Sequence, residues 1–322
     1  MTVTSMTEIG AGETIFALST APGRAGIAVI RLSGPDAIPV ARALTGGRAL
    51  PSRKGVLRYV SDNGERIDEC IVLSFFGPNS FTGEDIVEFQ CHGSPAIIED
   101  LSAALLKAGL RQARAGEFTR RAVENGRMDL TEAEGLIDLI DAQTSGQRRQ
   151  ALRQMEGALR DRYESWRDGL LDALAQVEGE IDFADEGDVP DALSHAARPY
   201  LDRVASSIAA ALGRAERARA VRTGIGIAIL GAPNAGKSTL LNRLVGRDVA
   251  ITSPQAGTTR DVVEANMVIA GLPVTLSDTA GLRETEDMIE AEGVRRALAR
   301  AEDAHLRIWL VRGDDAPPRE VR

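Results

Sequence analysis

The sequence predicts a multidomain protein of mixed class: an α+β domain, then a domain of long helices, then the front half of a doubly wound α/β domain. Three observations carry that expectation. A chain of 322 residues exceeds what one hydrophobic core usually organises, so two or three domains are expected. Short β-branched runs punctuated by glycine and proline fill the first part, and the middle turns to apolar spacings of three and four. The last part opens with a buried strand that runs straight into a glycine-rich loop.

In the first part, residues 13–18, 27–32, 70–76 and 86–91 read as strands, and residues 35–44 and 97–108 as helices between them. A compact α+β domain should end near Gly116. Beyond Phe118, the positions Leu152, Met155, Leu159, Tyr163, Trp166, Leu170, Leu174, Val177 and Ile181 predict one apolar stripe on one long helix. An acidic break over residues 182–191 precedes a second stripe at Leu201, Val204, Ile208 and Leu212, so two antiparallel helices are expected. Such stripes usually need more neighbours than two, and the chain offers few others. From Thr223 onward, residues 225–230, 262–269, 274–277 and 306–311 predict strands, with a helix over residues 289–300.

Composition bounds the function. With 43% hydrophobic and 26% charged residues the chain is an ordinary globular protein rather than a disordered one. A net charge of −9 argues against the whole surface being a nucleic-acid footprint, so any RNA contact must be local. The arginines between Arg111 and Arg127 are one candidate patch, a solvated surface being the plainer reading. No leader and no membrane span are evident, which leads to an expectation of a soluble, cytoplasmic protein with no membrane partner. Cys70 and Cys91 have no partners at metal-ligand spacing; neither a disulfide nor a zinc site is expected. Lys54, Lys107 and Lys237 are the only lysines, which singles out the one in the glycine-rich loop.

That loop, residues 231–238, fits GxxxxGK[ST], in which backbone N–H groups at a helix N-terminus approach phosphates. Asn234, Ala235, Gly236, Lys237, Ser238 and Thr239 are candidate nucleotide contacts: Lys237 would reach the β- and γ-phosphates and Ser238 would ligate Mg2+. Forty residues on, Asp278, Thr279, Ala280 and Gly281 form the DTAG signature at a strand end, where an aspartate holds magnesium through water and a glycine N–H senses the γ-phosphate. The intervening run through Gly257, Thr258 and Thr259 sits where a loop must close over the nucleotide, with Thr259 a second hydroxyl for Mg2+; alone, such a run is a plain loop. Leu282 stands where Ras-type enzymes carry the glutamine that positions water, so hydrolysis by that route is not expected. Glu284, Glu286, Asp287 and Glu290 are candidates to replace it, with helix capping and solvated charge as competing explanations. The Asn234 carboxamide could ligate a monovalent cation beside the β/γ bridge, although turn geometry explains an asparagine there equally well.

Over essentially its whole length the chain resembles the tRNA-modification GTPase family called MnmE or TrmE. The resemblance runs through TIFALSTAPGRAGIAVIRLSG at residues 14–34, SFTGEDIVEFQCHG at 80–93, AGEFTRRAVENGRMDLTEAEGLIDLIDA at 115–142 and IDFADE at 181–186. It continues through GAPNAGKSTLLN, AGTTRD and DTAGLRE. It implies three domains: an N-terminal tetrahydrofolate-binding and dimerisation domain at residues 1–118, the first half of a helical domain at 119–222, and a Ras-like P-loop G domain, incomplete, at 223–322. It also implies Arg31, Glu88 and Arg127 at the folate, with Arg127 standing where the family often carries lysine.

By the same resemblance Asn234 is a K+ ligand, assisted by main-chain oxygens around Ser253, Gln255 and Thr258, and Ser253, Pro254, Gln255, Ala256, Gly257, Thr258 and Thr259 border the nucleotide. Glu290 matches the water-orienting glutamate, making Glu290 and Lys237 the catalytic pair. Similar proteins are homodimers activated when G domains meet across GTP. They work with the flavoprotein MnmG, in a heterotetramer, at C5 of the wobble uridine of tRNA, with 5-formyl- or 5,10-methylene-tetrahydrofolate as cofactor. The sequence ends at Arg322, before the family's NKxD motif and C-terminal cysteine motif, and so reads as a truncated member. Two alternatives remain: a folate-binding dimer without turnover, and another potassium-type P-loop GTPase, against which the folate-like stretches argue.

Overall fold

A computed structural model describes residues 12–182, 193–231, 235–245, 264–278, 304–311 and 313. The chain divides into two compact units, Met1–Ala133 and Glu134–Arg322.

In the first unit the elements run β1 (Ile15–Leu18), β2 (Ala25–Ser33), α1 (Ala37–Leu44), β3 (Val56–Asp62), β4 (Glu65–Phe75), β5 (Ile86–Gly93), α2 (Pro95–Lys107), β6 (Arg111–Gln112) and α3 (Glu117–Glu124). One six-stranded sheet takes the order β3-β4-β5-β2-β1-β6. Alternation decides which face is which, because successive side chains of a strand point to opposite sides. Ile30 and Leu32 of β2, Val72 of β4 and Val87 and Phe89 of β5 are all but fully buried, in one cluster with Leu101 and Leu105 of α2 and Ala37 and Ala41 of α1. The intervening positions, Arg31 and Glu88 among them, therefore belong to the opposite face. Cys70 and Cys91 are buried thiols on the core side, and burial pushes the Cys70 thiol up to about 12. β3 and the first half of β4, joined by a tight turn at Asn63 and Gly64, lacked the apolar density that marks a strand; their residues are half-exposed or exposed along most of their length.

The second unit contains the greater part of α4 (Leu130–Ile140), then α5 (Ser145–Met155), α6 (Ala158–Asp182), α7 (Leu193–Thr223), β7 (Ile225–Gly231), α8 (Lys237–Val245), β8 (Glu264–Ile269), β9 (Leu272–Asp278) and β10 (Leu306–Leu310). The single long helix expected through Leu152 and Ile181 is two helices. Gly157, at φ 86°, sits in left-handed backbone that costs glycine little, and α5 ends there. A capping box starts α5: the Thr144 hydroxyl accepts from the Gln147 N–H at 3.2 Å, and the Gln147 side chain accepts from the Thr144 N–H at 3.0 Å. α6 and α7 do pack together, through Trp166 and Val204 of the expected stripes and through small residues beside them. Ala173, Ala197 and Val204 are buried, Gly169 lies against Val204, and the Trp166 indole N–H donates to Ser207 at 2.8 Å. Leu170, Leu174 and Leu201 stay nearly half-exposed. The acidic break and the helix expected at 289–300 fall outside the described residues.

A four-stranded sheet follows, in the order β10-β7-β9-β8, with β7 parallel to both neighbours and β8 antiparallel to β9. The last turn of α7 passes through Gly224 directly into β7. Ile229, Leu276, Val274 and Met267 form the core under α8, packed by Leu241. This is the expected front half of a doubly wound domain. No helix among the described residues is long and apolar enough to cross a membrane.

Candidate functional site

The nucleotide candidates among the described residues lie where strand order reverses. β7 has β9 on one side and β10 on the other, and all three run parallel, so their C-terminal ends share one edge of the sheet. A crevice forms at such a switch point because the connections leave in opposite directions. β7 ends there on Gly231, and β9 ends there on Asp278, whose register partner is Ile229 of β7. Gly231 is required by close packing: at φ 148°, a Cβ would sit 2.5 Å from the Leu310 carbonyl oxygen.

Lys237 opens α8 and is buried, with its ammonium donating to the Gly231 carbonyl at 2.7 Å. The lysine thus folds back along the loop. Leu240 N–H donates to Gly236 at 2.9 Å, which sets the first helical turn and leaves the earlier N–H groups at the helix start aimed out of it. Gly236 has open space where a Cβ would be. A helix N-terminus, a buried ammonium and an open approach are what a polyphosphate requires, so the described residues fit one. Ala235 and Thr239 lie on the same segment, and Ser238 is in the first turn of α8. Asn234, residues 253–259, residues 279–281 and Glu290 lie outside the described residues.

The second constellation lies on the open face of the first sheet. Arg31 and Glu88 are register partners on β2 and β5, and their side chains meet at 2.7 Å. The Arg31 guanidinium lies 5.4 Å from the Phe81 ring centre and 5.7 Å from that of Phe118. Arg127 is tied to the same loop, its Nε donating to the Ser80 carbonyl at 3.1 Å, and Asn125 donates to the Thr82 carbonyl at 2.7 Å. The three residues expected at one ligand thus converge on residues 80–82, with Arg31 and Glu88 in direct contact and Arg127 on the loop beside them. Cations, a carboxylate and two phenyl rings match a ligand with acid groups, ring N–H donors and a flat heterocycle.

Pattern reading missed what holds that loop. The Ser33 hydroxyl hydrogen-bonds to Thr82 at 2.6 Å and donates to Glu84 at 2.7 Å. Arg121, nearly buried, donates to both Glu84 oxygens at 3.0 and 3.1 Å, to Glu117 at 3.3 Å and to the Glu13 carbonyl at 2.9 Å. Arg111 grips Glu117 with two N–H groups, at 2.7 and 3.1 Å, and Glu13 at 2.8 Å. Hydrogen bonds from Arg111 hold the Glu117 carboxyl at about 2, against the opposing effect of burial, and raise the Arg111 guanidinium in turn. The ties from Ser33 to Thr82 and Glu84 and from Arg121 to Glu84 and Glu13 span 37 to 108 positions and leave no local signal; the nearest was that 80–93 and 115–142 stood out as specific stretches.

Comparison with known proteins gives the family of both parts of the chain. The family model described as GTP-binding protein TrmE N-terminus matches residues 14–127, and that described as MnmE helical domain matches residues 130–310. The chain is 54% identical over 316 residues to the tRNA modification GTPase MnmE of Caulobacter vibrioides, covering 96% of this chain and 70% of the relative. It is 56% identical over 298 residues to that of Maricaulis maris, covering 92% and 68% respectively. Against that of Parvibaculum lavamentivorans it is 56% identical over 306 residues, covering 93% and 69%.

Proposed function

The chain belongs to the MnmE family of tRNA modification GTPases, and on that footing we propose that it binds and hydrolyses GTP in the cytoplasm to drive modification of the wobble uridine of tRNA at C5. The observation that supports this reading is the switch point where β7 ends on Gly231 and α8 begins at Lys237, whose ammonium lies 2.7 Å from the Gly231 carbonyl. Ser238 and Thr259 would hold Mg2+, and Asn234, with main-chain oxygens of Ser253, Gln255 and Thr258, would hold K+. When bound, these cations supply positive charge against the polyphosphate.

Lys237, drawn from Gly231 to the β- and γ-phosphates, would neutralise charge as the terminal phosphoryl group leaves. Residues 253–259 and 278–281 would close over the nucleotide, and Glu290 would orient the attacking water. In the first unit Arg31, Glu88 and Arg127 would hold tetrahydrofolate, which supplies a one-carbon unit when bound. Glu88 would accept from the ring N–H donors and the arginines would pair with acid groups, beside Phe81 and Phe118. We further propose three functional segments, 1–118, 119–222 and 223–322, and a homodimer that acts with MnmG.

The test is nucleotide turnover by the 322-residue chain with Mg2+, K+ compared with Na+, and GTP compared with ATP. GTP-selective, K+-stimulated hydrolysis that disappears in Asn234→Ala supports the proposal. Binding of 5-formyltetrahydrofolate with no nucleotide binding would replace it with a folate-binding protein lacking turnover.

A further inference from the structure

Three of the five arginines from Arg111 to Arg127 are committed to acidic partners. Arg111 pairs with Glu13 and Glu117, Arg120 with Glu124, and Arg121 with Glu84 and Glu117. Unbalanced positive charge lies in the second unit instead. α5 holds Arg148, Arg149 and Arg153 and no acidic residue. The last eleven residues of α7 hold Arg214, Arg217, Arg219 and Arg222 against Glu216 alone. In a chain with 47 acidic and 38 basic residues this is a local inversion of sign.

The two segments are packed together. Gln147 donates to the Arg222 carbonyl at 3.0 Å and Gln150 to the Ala218 carbonyl at 3.2 Å, so the helices run antiparallel. On one flank of the pair Gly146 faces Val221. Residues three and four apart share a helix side, which puts Arg149 and Arg153 on the Gly146 flank and Arg217 and Arg214 on the Val221 flank. All four are exposed, and none makes an ion pair among the described residues. Arg222 is held apart from them by Asp138, at 2.9 Å.

We propose that this flank, carried by Arg149, Arg153, Arg214 and Arg217, is a docking surface for the phosphate backbone of RNA. The proposal rests on the reading of the chain as a tRNA modification GTPase, and it assigns the contact to a place. Guanidinium groups on packed helices are pre-positioned for bidentate phosphate contacts. Neither segment contains an aromatic residue. Stacking on aromatic side chains is thereby excluded for these segments, and so is the aromatic anchor that a protein partner would favour. Four exposed guanidinium groups favour contact with the phosphate backbone. The flank also borders the nucleotide sheet, because a Cβ on Gly146 would lie 3.1 Å from the Gly271 carbonyl in the turn between β8 and β9.

Binding of an unmodified tRNA transcript, measured by fluorescence anisotropy at 50 to 200 mM KCl without nucleotide, tests it. Four phosphate contacts contribute a slope of about 3 in log affinity against log salt, or about 60-fold across that range. The variant Arg149→Gln/Arg153→Gln/Arg214→Gln/Arg217→Gln should lose that component. A variant of equal charge change, Arg162→Gln/Arg167→Gln/Arg198→Gln/Arg203→Gln, should keep it. The proposal is overturned if the parent chain binds no tRNA, if both variants lose the same slope, or if the flank variant keeps it. It is equally overturned if polyglutamate displaces the parent's partner as well as tRNA does, since the surface would then be one for acidic protein. GTP hydrolysis is measured separately on all three proteins, so a failed nucleotide reading leaves the salt result standing.

Discussion

Arg121→Met removes the cation at the centre of the network under residues 80–85. The side chain is 9% exposed and serves Glu84, Glu117 and the Glu13 carbonyl at once. Removing one partner of a buried ion pair costs about 3 to 5 kcal/mol, because the opposite charge is left without its counterion. Glu117 keeps Arg111 and Glu84 is 24% exposed, so the lower end applies, about 3 kcal/mol. For a unit of this size that lowers the melting temperature by about 10 °C. Calorimetry is the assay, since Trp166 and Trp309 both lie in the second unit and their fluorescence does not report on the first. Adding Glu84→Gln removes the orphaned carboxylate and should restore part of the loss, whereas in a parent background Glu84→Gln alone should destabilise. A single variant melting within about 2 °C of the parent, or strictly additive effects in the pair, would refute the network as the support of the loop.

The same network makes the first unit acid-sensitive. Glu117 titrates at about 2 when folded against 4.5 otherwise, so its contribution is complete above pH 4.5 and is lost as pH falls toward 2; the whole amounts to about 3 kcal/mol. Glu117→Gln should flatten that part of a stability-against-pH curve, and an unchanged curve would locate the acid sensitivity elsewhere. Gly231→Ala should abolish nucleotide binding while leaving the first unit's melting transition in place, because its Cβ would drive β7 and β10 apart at the Leu310 carbonyl. Equilibrium binding of a fluorescent GTP analogue reads it, and a variant that binds normally would show that the approach of β10 does not shape the loop.

Where a motif occupies contiguous residues, the sequence was sufficient to place the elements that flank it. The strand before the glycine-rich segment, the helix after it and the strand ending at Asp278 all fall where expected, since the pattern of each is written in a short stretch of chain. Arg31 carried no such signal. An arginine on an exposed strand face becomes part of a site only through Glu88, Phe81 and Phe118, up to 87 positions away, and the family resemblance supplied what periodicity could not. The helical region erred in the other direction. Apolar spacing continued smoothly past Gly157 because a three-four pattern does not register one residue's backbone conformation, and the seam between α6 and α7 joins Trp166 and Val204 of the expected stripes to alanines and a glycine that a search for large side chains passes over.

The direct passage of α7 through Gly224 into β7 has a mechanical meaning. α7 spans 31 residues and so extends about 46 Å. A rod of that length, joined by a single residue to the strand that ends at the phosphate loop, behaves as a lever arm. A rotation of about 5° at its base sweeps its distal end through about 4 Å, which converts an ångström-scale rearrangement at the end of β7 into a stroke large enough for another part of the molecule to feel.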